Sequence, residues 1–249
     1  MKIGEFAITF DNVKKVASIA NALMWISAAL MLAEMFTETQ QHAEATHYIV
    51  AINCFVLVIF QVIYFYKEML QFKAEQQKRL DLYDNSFGTK LSETHSEGYY
   101  TNDSITSGYM KLAANNFESV FFTYRIMKED LCCKVFKAII ICAIFVLVAM
   151  LGLQNIFILL IQITLPITII VGSVRFAITE SRVKEIYLEY RKLFEKKDSI
   201  RHADILNQLI NYTATLTAGN VLLSDRTYNK LNASLSEEWE KIKNEFGIK

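Results

Sequence analysis

One proline and eight glycines in 249 residues exclude collagen, low-complexity linkers and extended disorder. Net charge is missing as well. The 26 Lys and Arg cancel the 26 Asp and Glu, so no basic surplus marks nucleic acid as a partner and no direct nucleic-acid binding is expected. Four cysteines are too few for a disulfide scaffold in a chain of this length. No G-x-S-x-G, H-E-x-x-H, P-loop or G-x-G-x-x-G motif occurs. Nothing therefore supports catalysis, and neither an enzyme activity nor a cofactor is expected.

The most informative absence is local. No Lys or Arg lies between Val16 and Tyr66, or between Ala138 and Val174. Acidic Glu34, Glu38 and Glu44 do enter the first gap, so positive charge alone is avoided there, as the positive-inside rule produces. Each gap holds two apolar runs. Val16–Phe36 and Tyr48–Tyr66 flank a polar break, and Ala138–Leu153 and Ile156–Val174 flank the Gly152–Asn155 region. A helix rising 1.5 Å per residue needs about 20 residues to cross roughly 30 Å of hydrocarbon. The third run is short, but Val135 and Phe136 extend it if Lys137 reaches out to the headgroups.

The expected fold is an all-α membrane protein, with four transmembrane helices as two hairpins and a helical cytoplasmic domain. Residues 1–15 form a cytoplasmic amphipathic segment, with Ile3, Phe6, Ala7 and Phe10 at helical spacing. Residues 16–66 are hairpin 1, 67–134 a cytoplasmic stalk and loop segment, 135–174 hairpin 2, and 175–249 a cytoplasmic helical tail. Basic residues flank the spans at Lys14, Lys15, Lys67, Lys134, Lys137, Arg175 and Arg182, which places both termini inside. No small-residue cleavage site follows the first run, so no removable signal peptide is expected. Cys132 and Cys133 fall on the reducing side, and all four cysteines are expected as free thiols.

Within the cytoplasmic segments, Met69, Phe72, Leu80, Tyr83 and Phe87 form an apolar stripe on the stalk that predicts packing against a partner helix. In the tail, Asp198 or Ser199 is the expected cap of a helix ending at Gly219-Asn220. The spacing Ser234-x-x-Glu237 predicts a capping box opening a last helix with Leu235, Trp239, Ile242 and Phe246.

Polar groups inside the spans are candidates because hydrocarbon leaves them unsatisfied. Thr164, Thr168, Gly172 and Arg175 recur on one face of the fourth span, and Pro166 would free the carbonyl of Gln162 and kink it. That face is a candidate pore wall. Equally, each Thr can bond its own i−4 carbonyl while the face packs. Ser18, Asn21, Ser27, Asn53 and Gln61 are expected as interhelical hydrogen-bond partners. In the outer loop, Glu38, His42, Glu44 and His47 read as a solvated loop, and no metal site is expected.

The stretches around Asp81 and Asp84, Tyr99 and Tyr100, and Tyr124 and Arg125 mix aromatic, acidic and glycine residues. Such a mix suits a small polar ligand or a packed regulatory subdomain. With the two span pairs, the stalk and the helical tail, these residues resemble the SMODS- and SLOG-associated four-transmembrane effectors of bacterial antiviral defence, over residues 10–197. The resemblance implies a homo-oligomer in the bacterial inner membrane that permeabilises it on infection, triggered by a cyclic nucleotide or a cytosolic defence protein. The alternative is a non-conducting membrane sensor or scaffold that recruits a cytosolic effector.

Overall fold

The structure is a computed structural model and describes residues 4–39, 43–94, 96–150, 163–196 and 199–248. Six α-helices and no strand occur among the described residues: α1 (Glu5–Thr39), α2 (Ala43–Phe87), α3 (Tyr109–Met150), α4 (Thr164–Glu195), α5 (His202–Gly219) and α6 (Asp225–Phe246). The chain divides into two compact units. The smaller holds Asn12–Met69 and Cys132–Arg175, and the larger Met1–Asp11, Leu70–Leu131 and Phe176–Lys249. Helices α1, α2, α3 and α4 each contribute residues to both.

In the smaller unit, α1 and α2 run antiparallel, because Ser27 Oγ donates to Asn53 Oδ1 at 2.7 Å and Thr46 Oγ1 to Thr37 Oγ1 at 3.0 Å. Helix α4 runs parallel to α2, with Gln61 Nε2 donating to Thr168 Oγ1 at 3.0 Å and Arg175 Nη1 to Glu68 Oε1 at 2.8 Å. Met24, Met31, Leu57, Phe60, Ile141 and Leu165 bring all four helices to one apolar core. Much apolar surface remains outside it. Trp25, Ile26, Ile52, Phe55, Val58, Val62, Phe65 and Ile139 are all exposed. The stretches Glu5–Glu34 and Glu44–Phe87 are long and apolar enough to cross a membrane, and only 28% and 17% of their most apolar segments is buried. A core helix of a water-soluble protein buries its apolar face instead. The four cysteines are free thiols.

Aromatic side chains organise the larger unit. Phe117 of α3 stacks on Tyr190 and Phe194 of α4, at 5.4 Å from each, and meets the edge of Trp239 of α6 at 5.2 Å. Such pairs add about 0.5–1.5 kcal/mol each beyond area burial. Leu235, Trp239, Ile242 and Phe246 of α6 are all buried, and α5 buries Ile205, Leu209, Tyr212 and Leu216.

Four expectations are corrected here. The N-terminal residues make no separate short helix, since Glu5 already belongs to α1, and Phe6 is buried with its ring 5.2 Å from Tyr99. The expected stripe on the stalk packs only in its later part: Tyr83 and Phe87 lie against the core of the larger unit, whereas Met69 and Phe72 are exposed and Gln71, Glu75 and Asp81 are buried beside Ala74 and Leu82. Helix α5 starts after Arg201 without a side-chain cap; Ser199 Oγ bonds back to Lys196 O, and Asp198 lies outside the described residues. Helix α6 opens ten residues before the expected capping box, at Ser224, whose Oγ accepts from Thr227 N. Ser234 is inside the helix and its hydroxyl bonds the Leu231 carbonyl, a mid-helix habit of serine.

Candidate functional site, a buried polar core

Gln71, Glu75, Lys78, Asp81 and Asn85 follow one another at helical spacing along α2. Burying such groups costs free energy unless they are partnered; Asp81 is partnered, whereas neither polar side-chain atom of the buried Gln71 has a hydrogen-bond partner among the described residues. Asp81 accepts from Ser96 N and Oγ at 2.5 and 2.7 Å. Asp84 accepts from Thr89 Oγ1, Leu91 N and Ser92 N at 2.7, 2.7 and 2.8 Å. Burial alone would raise the Asp84 carboxyl, but the bonds from Leu91, Ser92 and Thr89 hold it below its ordinary value. The two carboxylates thus tie Thr89, Leu91, Ser92 and Ser96 to the end of α2. Gly88 supplies the left-handed turn there, at φ 69°. The loop returns when Gly108 N and Ser107 Oγ donate to Ser86 O.

Glu118 of α3 is the centre of a second cluster. It accepts from Thr101 N, Thr101 Oγ1 and Asn102 Nδ2 at 3.2, 3.1 and 2.7 Å. Trp239 Nε1 donates to Thr101 Oγ1 at 3.1 Å, and Lys243 Nζ to Thr101 O at 3.2 Å. Burial pushes the Glu118 carboxyl up to about 7, against those bonds and the nearby Lys243.

A cavity of about 20 Å³ is lined by Glu75, Lys78, Tyr100, Asn116, Ser119 and Tyr212. Asn116 Nδ2 donates to Tyr190 OH at 2.6 Å, while its Oδ1 has no hydrogen-bond partner. Tyr212 OH lies 2.8 Å from Thr123 Oγ1 and donates to Ser119 O at 3.2 Å. Burial raises the Glu75 carboxyl, with Lys78 and Arg79 opposing it, and raises Tyr212 to about 12. Such a space holds about one water and no organic ligand.

The larger concavity is elsewhere. A cleft of about 400 Å³ is lined by Ile105–Met110, Phe194, His202 and Ile248, within the range of small-molecule sites. Tyr109 and His202 stack at its side, 4.1 Å apart; they are the first residues of α3 and α5. None of the pore-wall, interhelical or ligand-binding candidates proposed from the sequence lines it. The signal available was the pair of helix starts after Gly108 and Arg201, which sequence reading does not bring together.

The remaining candidates are distributed through the fold. Tyr99 packs on Phe6, Tyr100 is buried, and Tyr124 stacks on Tyr187 at 5.4 Å. Arg125 Nη2 pairs with Glu238 Oε1 at 2.6 Å. In the smaller unit, Thr168 Oγ1 bonds the Thr164 carbonyl at 2.8 Å. Thr168, Gly172 and Arg175 of α4 face Gln61, Tyr64 and Glu68 of α2. Pro166 lies in the first turn of α4, where no amide donor is needed; Gln162 lies outside the described residues. Asn53 bonds Ser27, Asn21 accepts from Lys137 Nζ, and Ser18 is exposed. His42 is not described, and no group of three metal-ligating side chains occurs among the described residues. Compared with known protein families, curated proteins and solved structures, the chain matches none.

Proposed function

We propose that this chain is a multi-pass effector of the bacterial inner membrane with four spans. Its smaller unit lies in the bilayer and its larger unit in the cytoplasm, with both termini inside. It acts in antiviral defence as a homo-oligomer that permeabilises the membrane when its cytoplasmic region is triggered. The observation that carries the membrane part is the outward-facing apolar surface of α1 and α2, which water would not tolerate on this scale. The distribution of charge supports the orientation, and the resemblance named above supports the defence role. That α1, α2, α3 and α4 each continue from one unit into the other supports a link between trigger and membrane. Purified protein in liposomes loaded with a potential-sensitive dye tests the reading. Loss of an imposed membrane potential on addition of the trigger is expected, and liposomes that stay tight under cyclic nucleotides and co-encoded proteins alike contradict it.

One observation favours the second reading, a non-conducting membrane sensor or scaffold. The polar face of α4 is occupied by α2 within a single chain, so it offers no ready pore wall. A stoichiometric soluble partner co-purifying from membranes, without ion flux, supports that alternative.

A further inference from the structure

Glu75 and Lys78 stand one turn apart on the same face of α2, a spacing at which a carboxylate and an ammonium ordinarily reach each other. Here they do not. Each feels the other's charge, yet among the described residues no hydrogen bond or direct ion pair joins them, and neither side chain has such a partner elsewhere. Glu75 is only 9% exposed and Lys78 is partly buried. Arg79, a second cation close to Glu75, donates instead to Thr217 Oγ1 of α5 at 2.9 Å. Glu75 and Lys78 both line the cavity of about 20 Å³, and so does Asn116 of α3. Asn116 is fully buried; its Nδ2 donates to Tyr190 OH, and its Oδ1 has no partner. Exchanging the two ends of that amide would only leave a donor unmet in place of an acceptor.

Three polar groups on the wall of one small cavity thus lack a direct partner, and burying such groups unmet is costly. A water needs about 10–15 Å³ of space and makes about three hydrogen bonds. We propose that the cavity binds one water, which accepts from Lys78 Nζ and donates to the Glu75 carboxylate and to Asn116 Oδ1. Other small occupants fit the charges less well. An anion would face the carboxylate, a metal cation would face the ammonium, and the volume admits nothing larger. Tyr212, also on the wall, is already served, since its hydroxyl donates to the Ser119 carbonyl and lies beside Thr123 Oγ1. The water converts an ion pair that does not close into a bridged one. Its third bond carries that pair from α2 to Asn116 of α3, and through the Asn116 amide to Tyr190 of α4. One molecule then ties three helices together. All of these residues belong to the larger unit, so the site does not depend on the membrane reading.

The test is a crystal structure of the full-length chain at a resolution that shows ordered waters. A single peak within hydrogen-bonding distance of Lys78 Nζ, a Glu75 oxygen and the Asn116 amide is expected. A cavity without a peak, or Glu75 and Lys78 in direct contact, overturns the proposal. Urea unfolding supplies a second measurement in solution. Lys78 and Asn116 share no direct bond, so a water common to both is what couples them. Lys78→Met and Asn116→Leu should each lower the folding equilibrium constant. The double variant should fall about tenfold less than the product of the two losses, a coupling usual for members of one network. Lys78→Met combined with Ser224→Ala is the control, because Ser224 does not line the cavity. Coupling between Lys78 and Asn116 no larger than in that control overturns the shared water. The structure of the parent chain decides the matter even if a variant does not fold.

Discussion

Glu118 stays buried although its carboxyl titrates near 7 rather than at its ordinary 4.5. Its folded-state value is raised, so between these two values the folded chain keeps a proton that the unfolded chain has released. The Glu118 contribution to stability is then greatest below about 4.5 and is lost as pH rises through 7, in total by on the order of 3 kcal/mol. Glu118→Gln cannot ionise and should flatten that fall. Thermal unfolding of the detergent-solubilised chain from pH 5 to 8, followed by Trp239 fluorescence in a Trp25→Phe background, makes the comparison. Equal pH slopes in parent and variant would contradict the assignment. Asp84 acts in the opposite sense, held low by the bonds that order residues 88–92. Asp84→Asn exchanges a charged acceptor for a weaker one and puts an amide NH₂ where Oδ2 accepts from Ser92. Faster proteolytic cutting between Gly88 and Thr94 is the expected readout, with unchanged cutting elsewhere.

At the level of the helix, two serines on α6 separate a true cap from a sequence pattern that resembles one. Ser224→Ala removes the oxygen that accepts from Thr227 N and should cost about 1 kcal/mol. Ser234→Ala only deletes a bond to the Leu231 carbonyl and should stay within about 0.5 kcal/mol. Urea unfolding of both variants checks the pair, and an equal loss would favour the capping box. The apolar periodicity of α6 was legible because Leu235, Trp239, Ile242 and Phe246 all face one core. Its start was not, because Ser224-Asp-Arg-Thr227 lacks the acidic third partner that marks a box. The first part of the stalk was misread for a related reason, while Tyr83 and Phe87 do pack on the core: periodicity identifies an apolar stripe, but α2 buries Glu75 and Asp81 because Lys78 and Ser96 lie beside them, and those partners come from tertiary structure. The end of α5 was legible, since Asn220 adopts the left-handed conformation expected of a cap. At the seam of α2 and α4, Arg175→Glu should lower stability by repulsion from Glu68. Glu68→Arg combined with it should restore much of the loss in a thermal-melt comparison, and no recovery would deny the pair a structural part.

Across the whole molecule, the all-helical character was written in the apolar runs and the scarcity of proline and glycine. The candidate site was much less legible. Asp81, Asp84 and Tyr100 are each buried, but the two carboxylates bind a loop and Tyr100 joins the hydrophobic core, and the 400 Å³ cleft beside Tyr109 and His202 depends on two helix starts that are distant in sequence. The central claim is that the smaller unit crosses the bilayer four times with the larger unit inside. It is tested most directly by cysteine accessibility in intact cells. Cys54, Cys132, Cys133 and Cys142 are first replaced by serine or alanine, and single cysteines are introduced at Glu44, Ser104 and Glu237. A membrane-impermeant maleimide should label only the Glu44→Cys protein in intact cells, and the Ser104→Cys and Glu237→Cys proteins only after permeabilisation. Labelling of Ser104→Cys or Glu237→Cys from outside, or recovery of the chain in the soluble fraction, would contradict the account.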